Sequence, residues 1–543
     1  MSGKGFSFIT MALLLMMCRE VNSQKNERRD AWVSDQGNGY YINPVIHSDF
    51  SDPDAIRVDS DYYMTASSFN CVPGLPVLHS RDLVNWELIS YALPKLVPEE
   101  EFNKVQHGNG VWAPSIRYHN GEFYIIYPDP DHGIYMVKAA DPRGQWSEPK
   151  LIKEGKGFID PSPLWDDNGK AYLVYAFAGS RAGIKSVIVV CTLEPDASKA
   201  FNDEVVVFDG HDKNNTVEGP KFYKRNSYYY IFAPAGGVVP GWQLAMRSKN
   251  VLGPYEAKVV MAQGKSLING PHQGAWVTTV TGEDWFLNFQ DKGAYGRVLH
   301  LNPMVWKNDW PVIGSDNDGD GTGEPVSGYK MPGVGKKYPV MAPPTSDEFN
   351  SSSTGLQWQW HANKQVTWGF PSGNLGFFRL NCIPVPEGYR NLWDVPNLFL
   401  QKFPAEEFTA ESKFTFNTGY DNERAGFLIM GADYASASVR RDSGKLVLEY
   451  RICTSADKGK PETVVERVPL GSGTIYIRTN VGKGAVCRFA YSTDGVIYHD
   501  FSKPFTAKAG RWIGAKLGFF AVRDGFINDA GYADLDWIRI TKP

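Results

Sequence analysis

A short unit recurs five times between Asp52 and Phe286, at a spacing of roughly 50 to 60 residues. Each unit has a polar or aromatic residue, a short apolar run, a turn rich in Asp, Asn or Gly, and an aromatic run. The copies open at Asp52-Pro53-Asp54-Ala55-Ile56, Trp112-Ala113-Pro114-Ser115-Ile116, Asp160-Pro161-Ser162-Pro163-Leu164, Glu218-Gly219-Pro220-Lys221-Phe222 and His272-Gln273-Gly274-Ala275-Trp276. Two runs of strand formers joined by turn formers read as a hairpin. A further marker, Ser80-Arg81-Asp82-Leu83-Val84-Asn85-Trp86, returns loosely at Ala140 to Trp146 and at Ser248 to Tyr255, and reads as an outer-strand turn. No stretch keeps a helical period. Four strands per unit and five units predict an all-β chain that begins with a five-bladed β-propeller over residues 35–335.

In a propeller the first strand of each blade lines the central axis. The residues that open the copies, Asp52, Trp112, Asp160, Glu218 and His272, are therefore expected to converge on one funnel. Three of the five are acids. Carboxylates brought together repel one another, so their convergence implies a use. One such use is glycoside hydrolysis. A carboxylic acid protonates the leaving oxygen, a second carboxylate attacks the sugar or activates water, and a third can keep the proton donor's pKa high. Glu218 has the longer reach and suits the donor. Metal binding by the trio and plain turn capping are the competing readings, the latter because Asp-Pro commonly opens turns.

These stretches resemble glycoside hydrolase family 43. The matching residues are Asn43-Pro44-Val45 with Asp52-Pro53-Asp54, Trp112-Ala113-Pro114, Asp160-Pro161, Glu218-Gly219-Pro220 and His272. The likeness covers about residues 40–330 and continues into a C-terminal β-sandwich found in one branch. It implies an inverting mechanism, with Asp52 as general base, Glu218 as general acid, and Asp160 tuning and orienting Glu218. It further implies that His272 contacts sugar or a nearby ion, often calcium, in the axial channel, and that Arg297 contacts substrate opposite the base. Trp112 and Phe69 are candidate walls of the sugar pocket. No cofactor is required on this reading. Ser51 stands before the first Asp, where many members have Pro. The branch holds α-L-arabinofuranosidases and β-xylosidases. Likeness to it leans toward exo-acting release of terminal arabinofuranose from hemicellulose side chains, with β-xylosidase as the alternative. A non-catalytic sugar-binding propeller and a retaining fructan hydrolase are rivals. The Asn-Asp-Pro and Arg-Asp-Pro motifs of the latter are missing.

Pro-rich Met341-Ala342-Pro343-Pro344 marks a boundary, after which regularly spaced short strands without the propeller period predict a concanavalin-like β-sandwich over residues 346–543. Ser315-Asp316-Asn317-Asp318-Gly319-Asp320-Gly321 looks like a calcium-loop opening, but Ser327 stands where the bidentate Glu belongs, so it reads as a surface turn or weak ion site. Charges of both signs are interspersed around a net of −4, with no basic block, which argues against nucleic acid as a partner; the expected partner is an oligosaccharide or polysaccharide. Lys4, the apolar run Phe6 to Met17 and Val21-Asn22-Ser23 read as a signal peptide over residues 1–23, giving a periplasmic or secreted protein without a transmembrane segment. Cys18 leaves a lipoprotein open, although Met17 stands where such signals want a small residue. The six cysteines lie far apart, and no disulfide framework is expected.

Overall fold

The structure, a computed structural model, describes residues 30–543. The expected signal peptide and Cys18 lie outside the described residues. Among the described residues no helix is long and apolar enough to cross a membrane.

Five antiparallel blades surround one axis, four of them four-stranded and the fifth extended by Trp310–Ile313. Blade I runs from Asp54 to Leu93, blade II from Ser115 to Glu154, blade III from Phe158 to Asp209 and blade IV from Lys221 to Met261; each takes its four strands in sequence order. Blade V takes three strands from its own unit, His272–Thr278, Asp284–Asp291 and Arg297–Lys307. Its fourth is the N-terminal strand Ile46–Asp49, which pairs antiparallel with Arg297–Lys307. The chain thus closes the ring on itself, with its N-terminal strand as the outer strand of blade V. Apolar side chains fill each gap between blades. Between blades V and I, for example, Tyr62, Met64 and Trp86 pack with Val277, Trp285 and Leu299.

The recurrent outer turn has a local cause. Asp82 Oδ1 accepts the backbone N–H groups of Val84 (3.0 Å) and Asn85 (2.7 Å), and Trp86 Nε1 donates to Leu83 O at 2.8 Å. An Asx turn therefore feeds the outermost strand Trp86–Leu93.

The C-terminal part is a sandwich of an eight-stranded and a seven-stranded sheet. Along Phe408–Asn417 buried and half-buried residues alternate, so Phe408, Ala410, Ser412, Phe414 and Phe416 face the core. Phe399 stacks on Trp358 and Phe378 at centroid distances of 4.3 and 4.6 Å. Sandwich and propeller are joined by backbone. Val72 and Trp360 exchange both N–H···O bonds, at 3.0 and 2.7 Å. Lys516 Nζ reaches Cys71 Sγ at 2.9 Å. Cys71, Cys191, Cys382, Cys453 and Cys487 are buried and none forms a disulfide.

Asp316, Asp318 and Asp320 hold carboxylate oxygens within 4.8 Å of one another at the surface. Lys307 Nζ already pairs with Asp316 at 2.7 Å, and Thr322 N–H bonds Asp320.

Candidate active site

All five residues that open the repeats line one pocket at the end of the propeller axis, together with Phe69, Ala113, Ile159, Val238, Gln273, Arg297 and Trp512. Every candidate residue read from the sequence is therefore brought together. The backbone is bent to achieve this. Asp52 (φ 55°), Phe69 (φ 51°), Asp160 (φ 58°), Gln273 (φ 38°) and Trp512 (φ 64°) all adopt left-handed conformations. Such values are uncommon for non-glycine residues, and they gather where surrounding structure fixes a functional geometry. Register breaks between Ile159 and Ser162 and between His272 and Gly274 place a bulge beside Asp160 and beside Gln273. Bulges of this kind re-aim side chains next to active sites.

The three acids have different surroundings. Asp52 Oδ2 accepts hydrogen bonds from Ser51 Oγ and Ser67 Oγ, both at 2.6 Å, and Arg297 Nη1 lies 3.3 Å from each Asp52 oxygen. Arg297 also donates to Ser51 Oγ at 2.8 Å. Ser51, which replaces the usual Pro, thus serves as a bridge between base candidate and arginine. Asp160 Oδ2 accepts the Gly219 N–H at 2.7 Å, which ties it to the residue after Glu218. Gly219 is required there: its φ is +62°, and a Cβ would meet Gln273 at 2.9 Å and Pro234 at 3.0 Å. Burial, and then the charge of Asp52, raises Asp160 to about 6 against the pull of the Gly219 N–H. Glu218 is 29% exposed at the pocket and makes no firm hydrogen bond; His272 Nε2 stands 3.5 Å from its Oε1. Burial, then Asp160 and Asp52, raises Glu218 to about 8. It is therefore a protonated acid at neutral pH.

His272 is buried, and neither ring nitrogen has a hydrogen-bond partner. Burial and the nearby Arg297 lower it to about 3, so the imidazole is neutral. A calcium ion takes six to eight oxygen ligands. In the pocket the groups without a firm hydrogen bond are the His272 nitrogens and the single Glu218 carboxyl, while Asp52 and Asp160 are occupied by Ser51, Ser67, Arg297 and the Gly219 N–H. This donor set does not fit directly bound calcium, and no step below runs through it.

The pocket walls are aromatic. Trp112 meets Phe69 edge-on at 6.4 Å and Trp512 edge-on at 6.1 Å. Trp512 comes from the sandwich, and the sequence held no local signal for it. Asp49 holds that loop in place, and sequence reasoning missed it too. Its Oδ1 accepts the Arg297 N–H at 2.9 Å and its Oδ2 the Gly514 N–H at 2.9 Å. One carboxylate thus links the pocket arginine to the loop that carries Trp512.

Comparisons with known proteins identify the family. The sequence model of the family described as "Glycosyl hydrolases family 43" matches residues 41–311, and that of "Beta xylosidase C-terminal Concanavalin A-like domain" matches residues 346–541. A protein of Xylanibacter ruminicola, provisionally named a β-xylosidase, is 35% identical over 89% of this chain and 86% of its own length. The β-xylosidase of Formosa agariphila is 31% identical over 93% of this chain and 90% of its own. A non-reducing end α-L-arabinofuranosidase of Bacteroides ovatus is 28% identical over 72% of this chain and 74% of its own. The chain belongs to glycosyl hydrolase family 43.

Proposed function

We propose that this glycoside hydrolase removes a terminal pentose from the non-reducing end of an oligosaccharide or polysaccharide, with inversion at the anomeric carbon. The observation that carries the reading is the contrast between two carboxyls in one pocket. Glu218 is a protonated acid, whereas Asp52 is fixed by three donors as an acceptor. Glu218 gives its proton to the glycosidic oxygen as the bond to the anomeric carbon breaks. A water attacks that carbon from the opposite face, and Asp52 takes the water's proton. Asp160, bonded to the Gly219 N–H, orients the Glu218 segment and keeps its proton affinity high. His272 and Arg297 offer donors to sugar hydroxyls. Trp512 and Trp112 line the pocket together, edge-on at 6.1 Å, and we read this aromatic wall as favouring a chain end over a continuous chain.

For the sugar itself, the two relatives above 30% identity over most of this chain are named as β-xylosidases, so β-xylose is the first reading. The sequence lean toward α-L-arabinofuranose keeps support from the Bacteroides ovatus relative and stands second. Hydrolysis of nitrophenyl β-D-xylopyranoside and nitrophenyl α-L-arabinofuranoside by the purified protein separates them. A clear preference for the xyloside supports the first reading, and cleavage of the arabinofuranoside alone overturns it.

A further inference from the structure

Directly beneath the three acids lies a second polar layer. It begins two or three residues further along each inner strand, at Asp54 after Asp52, Ser162 after Asp160 and Lys221 after Glu218. Its members are buried, Arg117 only partly, and bonded across blades. Lys221, fully buried on blade IV, crosses to blade II, where its Nζ donates to Pro114 O at 2.7 Å and Ser115 Oγ at 3.0 Å. Asp54 on blade I accepts from the Ile116 N–H at 2.8 Å and from Arg117 Nη1 at 2.6 Å. Arg117 Nη2 donates to Ser162 Oγ at 2.8 Å, and Ser162 in turn accepts the Phe222 N–H at 3.1 Å. Four blades are thereby laced together. Two cations and one anion leave the layer with one net positive charge.

We propose that Lys221 is a positioning residue whose ammonium group, fixed across the axis, supplies the counter-charge that lets three carboxyls share one pocket in their working protonation states. Without it the layer would be neutral, leaving Arg297 and Lys185 as the cations that face Glu218. The groups facing Lys221 are Asp54, Arg117, Asp160 and Asp52. Those facing the acids are Arg297 and His272 from blade V and Lys185 from blade III, and Tyr223 packs beside Arg117. Burial lowers the proton affinity of Lys221, while Asp54, Asp160 and Asp52 oppose that effect. Lys221 in turn pulls Asp160 down.

The layer's charge predicts displacements of opposite sign. A strand rises about 3.3 Å per residue, so two or three residues place the layer about 7 to 10 Å below the acids. A unit charge at that distance, in the effective dielectric of a protein, moves a carboxyl by about one pH unit. Lys221→Met removes a positive charge and should move both limbs of the kcat/KM pH profile about one unit higher. Asp54→Asn removes a negative charge and should move both limbs lower. The limbs belong to the coupled cluster, not to one acid. A purely structural role would weaken both variants without opposed displacements. The inference rests on the three acids forming the catalytic cluster, so a second readout is independent of turnover: the 13C carboxyl NMR titration of Asp160 in aspartate-labelled protein, assigned with Asp160→Asn. Its midpoint should rise in Lys221→Met and fall in Asp54→Asn. Displacements in the same direction, or none, overturn the role of Lys221. If the wild type cleaves no glycoside, the hydrolytic reading fails, while the Asp160 titration still decides this one.

Discussion

Replacing Glu218 with Gln should abolish turnover and make the protein more stable, by an amount that grows with pH. Glu218 is raised to about 8 in the folded state, from an ordinary value of 4.5. A carboxyl raised in this way binds its proton more tightly when folded than when unfolded. Relative to acid conditions, folding stability is therefore lost as pH rises, starting near 4.5 and ending near 8. Each pH unit of that interval is worth about 1.4 kcal/mol, so the full effect approaches about 5 kcal/mol. It is an upper bound, because the carboxyl retains 29% exposure to solvent. Asp160, raised to about 6 by burial and by Asp52, acts in the same direction but is present in both proteins. Gln keeps the shape of Glu218 and cannot ionise. Urea unfolding of wild type and Glu218→Gln at pH 5, 7 and 9 measures the effect. The stability advantage of the variant should be small at pH 5 and reach about 2 to 4 kcal/mol at pH 9. An advantage that stays constant across this range, or shrinks as pH rises, would refute the claim that the fold holds this acid protonated.

Other consequences follow from the same geometry. Asp52→Asn removes the proposed acceptor and should lower kcat by about 10²- to 10⁴-fold with a modest change in KM, measured on the better nitrophenyl glycoside. Gly219→Ala puts a Cβ within 3.0 Å of Gln273 and Pro234 at φ +62°, so it should cost about 1–3 kcal/mol in urea unfolding and misplace both Asp160 and Glu218. Asp49→Ala leaves two N–H groups, of Arg297 and Gly514, without their buried acceptor. A loss of about 2–5 kcal/mol in stability and a raised KM are expected, and an unchanged KM would contradict its link to Trp512.

What the sequence disclosed was whatever repeats. Five similar units announce five blades, and the inner position of each blade's first strand then carries Asp52, Trp112, Asp160, Glu218 and His272 to one axis, where the structure has them. Phe69 and Arg297 reach the same pocket from an irregular segment and from the start of a third strand. They were legible only through family likeness, because no period marks them. The fourth strand of blade V, Ile46–Asp49, escaped notice because its partner Arg297–Lys307 lies some 250 residues onward and its own run is short. Trp512 is one aromatic among 16 tryptophans, and nothing local separates it from those packed in the sandwich core. Asp49 and Lys221 act through contacts 465 and 107 residues away in sequence, distances at which spacing carries no information. Residue type alone pointed to the acids because clustered carboxylates are costly. A single buried lysine or aspartate whose partners are unknown gives no such sign.

The stereochemistry of the first product tests the account most directly. 1H NMR of the anomeric region, recorded within minutes of adding enzyme to a suitable glycoside and before mutarotation, identifies which anomer is released. The roles proposed for Asp52 as general base and Glu218 as general acid predict the anomer opposite to that of the substrate; initial release of the substrate's own anomer would contradict them.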